Sequence, residues 1–220
     1  MQIPSAPKSG PQNRQAALNP KRSEISEIVS FFKTLAIFII IALFLRASVV
    51  EAFKIPSGSM IPTLKIGDHI LVSKLSYGIH LPFLTKSIYQ FAYPQRGDIV
   101  VFTREDDPIT VEDDSAINII KRVVGLPGDT IEVVGSKVYI NDREYMEPYA
   151  RWDEGGIDTW GPETVPEGKV LLLGDNRDHS KDSRYWTDPF LPVERVKGRA
   201  LLIYWTWDSD FLNRIGKVIQ

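Results

Sequence analysis

Apolar residues follow two patterns along the chain. Between Ile28 and Leu45 they run almost unbroken, with Lys33 the only charge. From about Phe53 onward they fall into short β-like runs set off by turn residues. His69-Ile70-Leu71-Val72 follows Gly67-Asp68, and Ile99-Val100-Val101-Phe102 follows Gly97-Asp98. Thr130-Ile131-Glu132-Val133-Val134 follows Gly128-Asp129, and the segment Lys137 to Asp142 closes a hairpin. Val170-Leu171-Leu172-Leu173 precedes Gly174-Asp175, and Ala200-Leu201-Leu202-Ile203-Tyr204 comes late. Runs of this length between Gly/Asp turns predict a mostly β domain over residues 46–220. No internal repeat is visible.

The segment 28–45 has the dimensions of a membrane span. Eighteen residues of helix cover about 27 Å, close to the ~30 Å hydrocarbon core. Lys33 lies near one end, where its stem reaches the interface. A transmembrane helix is the expectation. A cleaved signal peptide, with Val50-Glu51-Ala52 as its small-residue site, and a buried core helix are the alternatives. Against cleavage, the apolar stretch exceeds the usual ~7–15 residues and Arg46 interrupts the approach. Residues 1–27 form a polar tail carrying Pro4, Pro7, Pro11 and Pro20, and disorder is expected there. Lys8, Arg14, Lys21 and Arg22 precede the apolar run, while Arg46, Lys54 and Lys65 follow it. That asymmetry favours a cytoplasmic N-terminus only weakly.

Composition excludes several chemistries. There is no Cys, so neither a thiol nucleophile nor a disulfide framework exists. The three histidines, His69, His80 and His179, form no zinc motif. No Gly-x-Ser-x-Gly elbow, dinucleotide fingerprint or phosphate-binding loop occurs. The formal charge of −2 gives no indication of a nucleic-acid partner. The only Ser-x-x-Lys with an apolar middle, Ser30 to Lys33, lies inside the apolar run.

Some segments have plain explanations. Glu105 to Asp114 carries six acids in ten residues and reads as a solvated hairpin loop rather than a calcium site. Arg96-Gly97-Asp98 reads as a turn into the strand that follows it. The stretch His80 to Tyr93, rich in Leu, Phe and Tyr, fits either a core-packed loop or a surface dipping into a bilayer. Trp205 and Trp207 share the same two readings.

The remaining chemistry lies in three blocks. Ser59 sits in Pro56-Ser57-Gly58-Ser59-Met60-Ile61-Pro62-Thr63-Leu64. A serine hydroxyl is a poor nucleophile until a base takes its proton, and lysine is the remaining base. An unperturbed lysine is neutral in only about one copy in 2,500 at pH 7, so it must lose solvent. Lys121 has that setting. On a strand it shares a face with Ile119 and Val123, while Arg122 takes the other. The third block, Gly174 to Trp186, is dense in short polar residues. It fits a hydrogen-bonded turn or a set of groups bracing the lysine. An EF-hand is excluded, because Ser183 replaces the required glycine and Pro189 the glutamate.

Four stretches carry a resemblance. They are Ser57-Gly58-Ser59-Met60-x-Pro62-Thr63-Leu64, Arg96 to Phe102, Lys121-Arg122-x-Val124-Gly125-Leu126-Pro127-Gly128-Asp129, and Gly174-Asp175-Asn176-Arg177-Asp178-x-Ser180-x-Asp182-Ser183-Arg184. In this order, after an apolar segment, they resemble the bacterial type I signal peptidases, membrane-bound serine proteases of the Ser/Lys class. The resemblance covers roughly residues 30–205.

It implies Ser59 as nucleophile and Lys121 as general base. It implies an oxyanion hole from the Ser59 amide and the Ser57 hydroxyl, and Ser180 as the group orienting the lysine amine. Arg122 with Asp175, and Asp182 with Arg184, would be bracing ion pairs. Phe53, Ile55, Met60, Leu64, Ile70, Val101 and Ile120 would line small substrate pockets.

The family's substrates are preproteins bearing signal peptides, cleaved after small residues. Its fold is a mostly β domain with a smaller β insertion, here expected near residues 133–167. The domain would lie outside the cytoplasm on a single-pass anchor in the plasma membrane, in contact with lipid. No metal or cofactor is implied. Ile119 stands where many members carry Tyr, and His179 where Asn is frequent. A soluble self-cleaving Ser/Lys protease and an anchored β scaffold are the rival readings.

Overall fold

A computed structural model describes residues 20–79, 89–104 and 118–219, without the side chains of 20–25, 43–48, 79 and 157–158. The start of the polar tail, residues 80–88 of the aromatic stretch and the acidic run Glu105–Asp114 lie outside the described residues. The chain divides into two units, 1–44 and 45–220.

A single helix, α1 (Pro20–Ser48), covers the apolar run. Its described side chains are exposed around the whole circumference, with Ile28, Phe31, Phe38 and Ile40 each more than half accessible. Among the described residues no helix is long and apolar enough to cross a membrane. The expected span at 28–45 is thus represented by a helix whose described side chains are those of 26–42.

The second unit is mostly β. Its first strands are β1 (Val50–Lys54), β2 (His69–Ser73), β3 (Gly78–Ile79), β4 (Tyr89–Gln90), β5 (Ile99–Thr103) and β6 (Asn118–Gly125). Next come β7 (Thr130–Gly135), β8 (Lys137–Ile140), β9 (Arg143–Tyr145) and β10 (Ile157–Thr164). The last are β11 (Lys169–Leu173), β12 (Phe190–Pro192) and β13 (Val196–Trp205). Seven strands form one antiparallel sheet in the order β1-β2-β13-β5-β6-β11-β12. The last strand of the chain therefore lies inside the sheet, between β2 and β5.

Strands β7 to β10 form a separate four-stranded sheet, ordered β10-β7-β8-β9. It is inserted between two neighbours of the main sheet, β6 and β11. It begins at Thr130, a little before the expected 133, because the Gly128-Asp129 turn sends the chain directly into β7. The two sheets share one core: Ile131, Val133 and Val138 of the insertion pack with Val124, Leu171 and Leu173 of the main sheet.

Three Gly-Asp turns are built alike. Gly67, Gly97 and Gly128 have φ of 88°, 92° and 84°, a region that admits glycine without strain. The amides of Asp68, Asp98 and Asp129 donate to the carbonyls of Lys65, Gln95 and Leu126, at 3.1, 3.0 and 3.0 Å. Each carboxylate then turns back to accept from the amide of that same residue, at 2.8, 2.8 and 2.7 Å. This is a type II turn closed by its fourth residue. Each one starts a strand.

The described end of the aromatic stretch is not core. Tyr89, Phe91 and Tyr93 are exposed, as are Trp205 and, at 76%, Trp207. For these residues the core-packed reading is corrected, since no apolar element covers them among the described residues.

Candidate active site

Ser59 lies on the loop between β1 and β2. The loop is tied at its base, where the Ile55 amide donates to Asp68 O at 2.8 Å and the Gly67 amide to Ile55 O at 2.9 Å. Ile55, Met60 and Leu64 pin it from below. They are buried in one apolar cluster with Ile70, Val101 and Ile120, and Phe53 packs against its edge. All seven residues expected to line substrate pockets thus meet in one place. Most are sealed from solvent: Met60, Leu64 and Ile70 have no accessible surface. They form the floor under the loop, and Phe53 is the member that stays partly open.

Lys121 projects from β6. Val100 stands opposite it and Phe102 opposite Ile119, so these four share a face. Val100, Phe102 and Val123 are fully buried there. The lysine is 4% exposed. Its Nζ donates to Ser59 Oγ at 2.8 Å and to Ile120 O at 3.0 Å. Burial pushes the lysine down to about 8, against the smaller upward pull of Asp182 and Asp175. About one copy in ten is then neutral at pH 7. This geometry lets the amine take the serine proton.

The hydrogen bond expected from Ser180 to Lys121 is not formed. Nζ is engaged by Ser59 Oγ and Ile120 O, and Ser180 Oγ is buried without a partner among the described residues. Ser180 nevertheless sits at the centre. A Cβ added to Gly174 would lie 2.1 Å from Ser180 Oγ and 2.6 Å from Ser59 O. Ser57 is exposed two residues before Ser59.

A polar frame surrounds this pair. Arg122 grips Asp175 with two hydrogen bonds of 2.8 Å, from Nε and Nη2. Its Nη1 donates to Gly97 O at 2.7 Å, and its guanidinium stacks on Tyr149. Asp182 accepts from Arg184 Nε at 2.8 Å and Nη2 at 2.9 Å, and from the Gly174 amide at 2.9 Å. Both pairs are buried. An uncompensated charge at either place would cost several kcal/mol, so the pairs fix the chain around Gly174 in one arrangement.

The family described as "Signal peptidase, peptidase S26" matches residues 28–205. The chain belongs to the signal peptidase family. As a member it is a serine endopeptidase of the type I class. It is 35% identical to the signal peptidase I of Pseudomonas fluorescens over 229 residues, covering 86% of this chain and 76% of that one. It is 36% identical to the signal peptidase I of Leptolyngbya laminosa over 210 residues, covering 94% and 91%. A probable signal peptidase I-2 of Synechocystis sp. is 38% identical over 173 residues, covering 79% and 71%.

Several residues of the family's site region had no role in the sequence reading. The Asn176 amide donates to Ser59 O at 3.0 Å and its Nδ2 to Gly58 O at 3.1 Å. Arg177 is bonded by both terminal nitrogens to Glu147 and by Nε to Gly174 O at 2.9 Å. Trp152 lies against both Arg177 and Arg184. Asn176 and Arg177 stand inside the third block, which was signal enough to single them out. Glu147, Tyr149 and Trp152 lie between β9 and β10, in no motif, and only the folded chain brings them here.

Proposed function

We propose that the chain removes N-terminal signal peptides from exported preproteins, with Ser59 as nucleophile and Lys121 as general base. One observation carries the reading: a fully buried lysine, lowered to about 8, within 2.8 Å of a serine hydroxyl. Neutral Lys121 takes the Ser59 proton as Oγ attacks the scissile carbonyl. The oxyanion that forms faces the Ser59 N–H and the Ser57 hydroxyl. The resulting ammonium passes its proton to the leaving amine, which departs as the new N-terminus of the mature protein. A water, deprotonated by Lys121, then attacks the acyl-enzyme. The acyl bond breaks, the proton returns to Ser59, and the signal peptide leaves as a carboxylate.

The bracing pairs Arg122–Asp175 and Asp182–Arg184 hold the frame. Phe53, partly open at the edge of the buried cluster from Ile55 to Ile120, gives a shallow apolar surface, which suits small side chains and excludes large ones.

The same reading gives 28–45 the role of membrane anchor. Its supports are the apolar run with a single charge and a helix whose described side chains are all exposed. The catalytic unit then works outside the cytoplasm at the plasma membrane, beside substrates still tethered by their own apolar segments. Exposed Tyr89, Phe91, Tyr93, Trp205 and Trp207 suit the lipid interface, where aromatic rings concentrate.

The deciding experiment is Ser59→Ala assayed on a preprotein in detergent. Cleavage should fall below about 1% of wild type, with the thermal midpoint unchanged. Turnover above that level would remove Ser59 from the role.

A further inference from the structure

Asn176 touches the nucleophile's backbone twice, yet it is not one of the reacting groups. Its main-chain N–H holds Ser59 O at 3.0 Å. Its side-chain Nδ2 holds Gly58 O at 3.1 Å, the same oxygen that accepts from the Ile61 amide at 3.1 Å. The Gly58 carbonyl and the Ser59 N–H are opposite ends of one planar trans peptide unit. A group that fixes the carbonyl therefore fixes the direction of that N–H. Gly58 is where such a restraint matters, because glycine leaves the adjoining torsions freer than any other residue does.

The N–H in question is unspent: among the described residues Ser59 N donates to no protein acceptor. The Asn176 amide has only one workable orientation. Turned over, it would set Oδ1 against Gly58 O, acceptor against acceptor. Its Oδ1 is buried with no partner among the described residues. An asparagine kept only for packing would ordinarily have both ends satisfied.

We propose that Asn176 is a positioning residue for the oxyanion hole, aiming the Ser59 N–H by anchoring the Gly58 carbonyl of the same peptide plane. The bond to the carbonyl also polarises the amide, which strengthens the N–H as a donor to developing negative charge. The inference rests on the proposed oxyanion role of the Ser59 amide. It predicts an effect on the chemical step alone, since among the described residues Asn176 makes no hydrogen bond to Lys121 and the bond to Ser59 O comes from its backbone.

The test is steady-state cleavage of a preprotein by the full chain in detergent, comparing wild type, Ser57→Ala, Asn176→Ala and Asn176→Leu. Losing a direct oxyanion donor slows such enzymes by about 10²–10³-fold. Asn176 acts through a donor that remains present, so kcat should fall by about 10–100-fold in both its variants. KM should stay within about twofold, and the acid limb of the pH–rate profile should keep its midpoint. If Asn176→Ala melts below the assay temperature, Asn176→Leu, close in shape and uncharged, carries the comparison.

A wild-type kcat in the Asn176 variants with a slow Ser57→Ala overturns the inference and leaves the oxyanion hole standing. Wild-type rates in all the variants remove both. A fall in kcat that travels with a shifted acid limb also overturns it, because Asn176 would then act through the lysine.

Discussion

The dipeptide Gly-Asp occurs at 67–68, 97–98, 128–129 and 174–175, and the fourth differs from the other three. In the first three the glycine supplies a left-handed φ. A Cβ there would meet nothing within 4 Å. The aspartate closes its own turn and is steadied by an arginine: Arg214 for Asp68, Arg199 for Asp98 and Arg96 for Asp129. At 174–175 the glycine supplies space instead. Ser180 and the Ser59 carbonyl fill the place its side chain would take. Asp175 closes no turn of its own and reaches Arg122, from the strand that carries Lys121. The same two residues thus start a strand in three places and join the parts of the candidate site in the fourth. Gly97 links the two uses, since its carbonyl accepts from Arg122.

The contrast is broken most severely at Gly174. In Gly174→Ala the new methyl would stand 2.5 Å from Ser180 Cβ and 2.6 Å from Ser59 O. Rotation of the Ser180 hydroxyl relieves neither contact, so the backbone at Gly174, Ser180 or Ser59 must move. A displacement of about 1 Å at a reacting centre costs roughly a hundredfold. We expect kcat/KM on a preprotein to fall by at least that factor. Gly67→Ala, which meets no atoms, should retain near wild-type kcat/KM in the same assay. Equal losses in the two would erase the distinction.

Next comes the aspartate. Asp175→Asn leaves the buried guanidinium of Arg122 without its carboxylate, which should cost about 3–5 kcal/mol in denaturant unfolding. Asp129→Asn faces an arginine that is a quarter exposed, and should cost about 1 kcal/mol or less from the ion pair. Asp175 also pulls Lys121 upward. Its neutralisation should therefore move the acid limb of kcat/KM to lower pH, whereas neutralising Asp129 should not. An unmoved limb in Asp175→Asn would show that this carboxylate does not act on the lysine.

The lysine served by the fourth Gly-Asp pair has a stability signature of its own. Its folded value is depressed from 10.5 to about 8, so between those values the unfolded chain binds more protons. Stability then rises with pH across that window, and below about pH 8 the folded state carries the full penalty. Two to three units amount to about 3 kcal/mol, offset by perhaps ~1 kcal/mol for each of the two hydrogen bonds Nζ makes. Lys121→Met should be inactive yet at least as stable as wild type at pH 7. Denaturant unfolding at pH 7 and pH 9 reads this directly. A Met variant more than about 1 kcal/mol less stable at pH 7 would mean the lysine is solvated.

What the sequence disclosed divides along the same line. The three turns were legible because their cause is local: a glycine, an aspartate and the strand residues after them are enough. The apolar face around Lys121 was legible for a similar reason, through the alternation of Ile119, Lys121 and Val123. The Ser59 and Lys121 blocks are joined first by elimination, since no other base is on offer, and the resemblance then supplies the pairing that no local rule gives to residues so far apart. Contacts made by tertiary packing were not legible. Nothing near Glu147 or Tyr149 announces Arg177 or Arg122, and nothing in β13 says that the last strand enters the middle of the sheet. The absence of a Ser180–Lys121 bond was likewise beyond sequence, because it depends on where Ile120 O lies relative to Nζ.

The smallest effect sharpens the comparison from its quiet side. Gly128 has φ of 84° and open space where a Cβ would stand. Its turn is shared with Pro127 and closed by Asp129, whose carboxylate also accepts from Arg96 and Asn141. Gly128→Ala should therefore suffer backbone strain alone, about 1 kcal/mol. The strain falls where β6 turns into β7, within a few residues of Lys121 along the chain, so it tests whether strain close in sequence reaches the site. Lys121 is held by its own strand pairing with β5 and by its bonds to Ser59 and Ile120, none of which passes through the turn. Denaturant unfolding should register the loss, while kcat, KM and the acid limb on a preprotein stay within about twofold of wild type. A tenfold fall in kcat in Gly128→Ala would mean that the third turn belongs to the candidate site as the fourth Gly-Asp pair does, and that the division between them is wrong.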